Sequence, residues 1–174
     1  MEKILGVYRL PYNRLRPVLC YDERPCFLIG DLVEGKPVKE GQIAKQHYAY
    51  EKLGSCSLLA AIEPLTGRRL AEVFDQRRKI EFARHFQKIA EMYSEAEKII
   101  VILDNLNTHN ESAFYEVFEA EEAYRLSRKF EFVYTPKSAS WLNMIEIEFS
   151  AISRLCLNRR IASKETLTKE VAAI

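Results

Sequence analysis

The sequence predicts an α/β fold, a five-stranded mixed sheet flanked by helices, and three observations carry that prediction. The run KIIVIL (98–103) is continuously apolar, as a strand buried on both faces should be. Just before it, Phe82, Phe86, Ile89 and Tyr93 recur at spacings of four, three and four, the pattern of one face of an amphipathic helix. After an opening set of strands, the remaining segments alternate helix, strand, helix, strand, helix. That order implies a sheet with helices packed against it.

Residues 1–17 (MEKILGVYRLPYNRLRP) are broken by proline and read as a lead-in segment outside the core. Val18 to Tyr21 is an apolar run that ends at Asp22, ERP (23–25) interrupts it, and CFLIGD (26–31) resumes it. This predicts two short strands joined by a tight turn. Leu32 to Lys52 is polar and punctuated by Gly35, Pro37 and Gly41, an irregular excursion. SCSLLAAIEP (55–64) is the next strand, and GRRLAEVF (67–74) adds a short strand or turn.

A helix is predicted from Lys79 to Tyr93, and KIIVIL follows as a buried, parallel strand. Ser112 to Lys129 reads as one helix with Phe114, Val117, Phe118, Tyr124 and Leu126 on its inner face. FEFVYTP (130–136) alternates like a strand and is ended by Pro136. The last long helix runs from Ser140 to about Arg159 with Leu142, Ile145, Phe149, Ile152 and Cys156 on one stripe. SKETLTKEVAAI (163–174) opens another helix with a capping pattern at Ser163 and Thr166.

A chain of 174 residues fits one domain with a sizeable core. Its 26 Lys and Arg balance 25 Asp and Glu, so any nucleic-acid binding must come from local patches rather than from global charge. The four cysteines show no CxxC pairing, which argues against a disulfide framework or a zinc site. There is no signal-peptide pattern, and no apolar run approaches the roughly 20 residues that span a bilayer. The expected location is cytoplasmic.

The stretch VILDNLNTHN (101–110) runs from an apolar strand straight into Asp104. Taken alone, this is a turn, since Asp and Asn tolerate tight turns. But if the strands that carry Asp22 and Asp104 are neighbours, two distant carboxylates meet and repel each other unless cations neutralise them. A hard oxygen-ligand site for magnesium or manganese resolves that repulsion, and a third acid completes a two-metal site. The last helix offers Glu146 and Glu148, which point to opposite flanks at about 100° per residue. Glu146 shares its flank with the small polar residues Asn143, Ser150 and Ser153, which leave room for ions and phosphates, so Glu146 is the third acid. Glu148 falls beside Trp141, Met144, Ala151 and Leu155.

Other residues carry two readings. His109 is placed to hold a phosphate or an attacking water, or simply to start a helix. Asn105 and Asn107 suit DNA or carboxylate contacts, or turn and cap roles. Trp141 is read as core packing in preference to base stacking. Arg68-Arg69, Arg77-Arg78-Lys79 and Arg159-Arg160 are phosphate-contact candidates or solvated surface. Lys137, just upstream of Glu146, is the best single DNA-contact residue.

Three segments together, CYDERP, VILDNLNTHN and YTPKSASWLNMIEIEFSAISRLCLNRRI, resemble the signature segments of mariner-type transposases, especially their bacterial insertion-sequence relatives. The resemblance runs from about Tyr8 to the C-terminus. It implies a ribonuclease H-like fold whose catalytic and metal-binding triad is Asp22, Asp104 and Glu146, holding two Mg2+ or Mn2+ ions. It also implies hydrolysis of a phosphodiester at the ends of an element, followed by attack of the freed 3′-hydroxyl on target DNA, in a homodimer. The interval from Asp104 to Glu146 is longer than is usual in mariner elements, which puts the extra residues around Glu119 to Arg128.

No helix-turn-helix module of the kind relatives carry is found before Asp22, and relatives extend beyond the position of Ile174. The expectation is a catalytic core at 18–174, with DNA recognition supplied by a separately encoded helix-turn-helix partner. Two rival functions are a truncated or domesticated module that binds DNA or oligomerises without catalysis, and a nuclease for RNA:DNA hybrids without strand transfer.

Overall fold

The computed structural model describes residues 1–174 apart from Glu34, Lys36, Pro37, Gln42, Ala44, Lys45 and Gln46. Five strands, β1 (Val18–Asp31), β2 (Tyr50–Ile62), β3 (Arg69–Phe74), β4 (Ile99–Leu103) and β5 (Phe130–Tyr134), form one sheet in the order β3-β2-β1-β4-β5. The first three make an antiparallel meander, whereas β4 pairs in parallel with both β1 and β5. β4 is wholly buried, as its unbroken apolar run requires.

Helices cover both faces. Alternation along the central strands decides which side chain goes to which face. Leu19 and Tyr21 of β1, with Ile99, Val101 and Leu103 of β4, face a cluster built on α2 (Lys79–Met92), α3 (Ser112–Val117) and α4 (Ala120–Lys129). Cys20, Ile100 and Ile102 face the opposite cluster, built on α1 (Glu2–Tyr8), α5 (Ile145–Ile152) and α6 (Lys164–Ala172). The first cluster is unusually aromatic: Phe82 stacks on Phe86 at 4.2 Å, and Phe86 meets Phe130 edge-on at 5.0 Å. Each such ring removed from water stabilises the fold by about 2–3 kcal/mol. Among the described residues, no helix is long and apolar enough to cross a membrane.

Several sequence expectations need correction. ERP does not turn the chain, because β1 runs through it as one 14-residue strand. The parallel ladder to β4 stops at the Cys20–Ile102 pair, so from Tyr21 onward β1 has a strand neighbour on one side only. Pro25, opposite Ser57, lacks only a donor that would have faced the open side. The strand count stays at five because residues 69–74 are a full strand.

The lead-in segment is not outside the core either: α1 buries Ile4 among the α5 and α6 side chains. Residues 112–129 form two helices separated at Phe118 and Glu119, which resets the inner face to Ala123 and Leu126 and leaves Tyr124 exposed. Trp141 is not packed; it is 70% exposed on a 3-10 turn, Ser140–Leu142, ahead of α5. α5 then passes into a π turn, Ser153–Leu157, which returns Cys156 to the core. The predicted excursion at 32–52 falls partly outside the described residues, and Tyr50 to Lys52 already belong to β2.

Candidate active site

The same alternation that builds the core carries the acids to the surface. Asp22 follows Cys20 on the α5 face, where the ladder to β4 has just ended. Asp104 is the first residue beyond β4, in step with Ile102 on that face. Glu146 lies in the first turn of α5. The three carboxylates share one field. Burial raises the Asp22 carboxyl most, and Asp104 and Glu146 push it further, to about 6, against the lowering effects of the Glu23 amide and His109. Asp104 and Glu146, from elements distant in sequence, thus both act electrostatically on Asp22.

They are not drawn tight. Asp22 Oδ1 accepts the Glu23 N–H at 2.7 Å and Asp104 Oδ1 is held by His109 Nδ1 at 2.5 Å. Among the described residues, no group of three or more His, Cys, Asp or Glu already stands in metal-ligating arrangement. The donor set nevertheless fits a divalent cation by its chemistry: three carboxylates, all hard oxygen donors.

Glu148 belongs elsewhere. Its side chain is buried on the other flank of α5 and bonds Arg69 of β3 at 2.6 Å, which moors the helix to the sheet. The turn before α5 is fixed from two sides. Asn143 Nδ2 donates to the carbonyl of Tyr21, next to Asp22, at 2.8 Å. The Tyr8 hydroxyl donates to the carbonyl of Leu142 at 2.8 Å and accepts the N–H of Met144 at 3.2 Å. Asn143 is therefore a buried strut rather than an open polar surface.

A cleft of about 440 Å³ opens beside Asp104, lined by Asn105, Lys137 and Ser140 among others. Lys137 and Asn105 thus share this cleft with Asp104. Ser138, in the same wall, has φ 61°, a left-handed value few serines adopt.

His109 is a correction. It is fully buried, with both ring nitrogens on carboxylates, Asp104 and, at 3.1 Å, Glu23, so it presents nothing to a phosphate. Burial disfavours its charge, but the bonds to Asp104 and Glu23 outweigh burial and raise its pKa to about 9. Arg160 is likewise committed to the protein, bonding Asp31 and the carbonyls of His47, Tyr48 and Ala49. Arg159 pairs with Glu170 on α6. Neither arginine reaches toward the acids through these bonds.

Sequence reasoning missed Glu23, and it placed Asn143 beside Glu146 without seeing its buried bond to the Tyr21 carbonyl. The signal for Glu23 was present: alternation places it with Leu19 and Tyr21 on the core face, where an acid demands a partner. Its side chain is only 2% exposed.

Residues 17–168 match the family model of the DDE superfamily endonucleases. Among solved structures, the chain is similar to the Mos1 transposase paired-end complex with left transposon end, with TM-score 0.64 and 13% identity over 99% of this chain and 51% of that one. It is similar also to the Mos1 mariner paired end complex with Mn, with TM-score 0.60 and 16% identity over 99% and 51%. A third likeness is to a pre-cleavage Mos1 transpososome, with TM-score 0.60 and 16% identity over 99% and 52%. At these identities the likeness is one of fold, ribonuclease H-like, and the chain spans about half the length of those chains. No curated protein sequence matches it.

Proposed function

Because this chain belongs to the DDE superfamily endonucleases, we propose that it is the catalytic domain of a transposase, with Asp22, Asp104 and Glu146 as its metal-binding catalytic triad. The signature segments favour the bacterial insertion-sequence branch of the mariner-type enzymes. Residues 18–174 constitute the catalytic domain, against which α1 is docked. What supports the reading is that acids from the end of β4 and the first turn of α5, Asp104 and Glu146, both act electrostatically on Asp22 of β1.

Two Mg2+ or Mn2+ ions, when bound, would supply Lewis-acid activation of the nucleophilic oxygen and neutralise the departing oxyanion in an in-line displacement. The protein's own share is positional. Asp22 projects from within β1, two residues past the end of its ladder to β4, and Asp104 from the end of β4, while Glu146 comes from a helix held by Arg69–Glu148 on one flank and by Asn143 and Tyr8 at its start. Lys137 and Asn105 line the approach to Asp104, where they are suited to hold a phosphate of the entering strand. The substrates are the ends of the element and target DNA, and a homodimer with a separately encoded helix-turn-helix partner would supply end recognition.

The test is nicking of supercoiled plasmid by the purified chain with Mn2+ or Mg2+. Activity is expected to vanish in Asp22→Asn, Asp104→Asn and Glu146→Gln and to persist in Glu148→Gln. Cleavage that survives all three substitutions sinks the assignment, and preferential cleavage of an RNA:DNA hybrid would make it a hybrid nuclease instead.

A further inference from the structure

Beneath the three acids lies a fourth carboxylate that the proposed reaction does not use. Glu23 Oε1 accepts the hydroxyl of Tyr21 at 3.0 Å and bonds Nε2 of His109 at 3.1 Å, and the other nitrogen of His109 bonds Asp104 Oδ1. The His109 ring is itself wedged: Phe82 stacks on it at 5.2 Å, Tyr21 meets it edge-on at 5.4 Å, and its carbonyl accepts the Tyr134 hydroxyl at 2.9 Å. The result is a continuous line from Tyr21 through Glu23 and His109 to Asp104.

Asp104 needs such a line. The ladder between β1 and β4 ends two residues before it, and the bond from the Thr135 N–H to the carbonyl of Leu103 is the last that ties this strand end to β5. Beyond that point the chain leaves the sheet, and an aspartate side chain there has several staggered rotamers open to it. The bond from His109 selects one, takes up one carboxylate oxygen, and leaves a side chain one-third exposed toward the cleft.

Folding stability does not account for the arrangement. Buried ion pairs are often matched or bettered by apolar residues of similar volume. Glu23 moreover keeps its second oxygen, Oε2, buried without a partner, a burden that a purely structural pair would be expected to shed.

We propose that Glu23 and His109 are positioning residues, a buried clamp that holds the Asp104 carboxylate in the orientation in which it ligates a divalent ion. The proposal rests on the assignment of Asp104 as a ligand. The clamp acts through Asp104 alone and touches neither DNA nor ion.

The experiment measures Mn2+ binding to the full chain by the electron-paramagnetic signal of free Mn2+, together with kcat and KM for plasmid nicking. The variants are Glu23→Gln, the paired apolar Glu23→Met with His109→Phe, and Asp104→Asn. Glu23→Gln and the paired variant are each expected to bind Mn2+ about 10–100-fold more weakly, the usual effect of losing an outer-shell partner, with kcat reduced and KM for plasmid unchanged. Because the two residues act as one unit, the paired loss should not exceed that expected for either alone. The paired variant keeps the interior filled and uncharged, so it reports even if Glu23→Gln fails to fold. Wild-type Mn2+ affinity and kcat in the paired variant, with binding lost in Asp104→Asn, overturn the clamp alone. Unchanged Mn2+ binding in Asp104→Asn overturns the ligand assignment and the clamp with it.

Discussion

Two histidines lie fully buried against the ring of Tyr21, His85 at 5.8 Å and His109 at 5.4 Å between centroids, and each bonds a carboxylate. Burial holds the pKa of His85 below its ordinary value despite the pull of Glu72, whereas that of His109 stands well above it. The difference is in what else answers the acids. Glu72 already has Lys88 as a cation, so His85 needs only to donate a hydrogen bond. Glu23 and Asp104 have no bonded cation besides His109 among the described residues. A buried imidazole defaults to neutrality and carries charge only where uncompensated acids demand it. The pair therefore marks where the molecule keeps an electrostatic deficit, which is at the candidate site and not in the core beside β3.

Four measurements break or sharpen that contrast. The largest effect belongs to the acid that His109 holds: Asp104→Asn should reduce metal-dependent nicking to background, while His85→Gln should leave it unchanged in the same plasmid assay. Next, urea unfolding at neutral pH should find His109→Ala destabilised by about 3–5 kcal/mol, because Glu23 is left as an uncompensated buried charge. His85→Ala should lose less, about 2 kcal/mol, since Lys88 still neutralises Glu72 and the loss is mainly one of packing.

The third measurement is the dependence of stability on pH. The raised His109 contributes stability that is complete below its unfolded pKa near 6.5 and is lost as pH rises toward about 9. The lowered His85 does the reverse, its contribution present above about 6.5 and lost as pH falls below it. Subtracting the profiles of His109→Gln and His85→Gln from that of the parent chain should give slopes of opposite sign. Two slopes of the same sign would erase the contrast. Smallest of all, Trp141→Ala should change stability by no more than about 0.5 kcal/mol, as an unpacked side chain must.

The sheet was legible where one rule dominated. KIIVIL was read as a buried parallel strand because nothing competes with an unbroken apolar run, and α2 because four aromatic and aliphatic positions share one face. ERP misled because a proline ordinarily ends a strand; that β1 outruns β4, and so leaves a side where a missing donor does no harm, depends on a pairing of distant residues that ends at Cys20 and Ile102. Tyr124 misled because a helix interrupted at Phe118 and Glu119 loses its phase, and local periodicity gives no warning.

In the candidate site, the choice of Glu146 over Glu148 followed from helical phase, and the structure places Glu148 on the opposite flank in a bond to Arg69. His109 could be named but not interpreted. A histidine five positions past an acid says nothing of a glutamate on another strand, and only the fold brings Glu23 to its second nitrogen.

The ring at Pro25 has a further consequence. An extended strand with one bare margin invites other copies of the chain to zip onto it and grow into insoluble ribbons. A residue with no amide hydrogen spoils that zipper midway along the margin, and farther on the carbonyl of Ile161 already takes the N–H of Ile29. The gap that gives the acids room is thereby kept from becoming a seam for self-association.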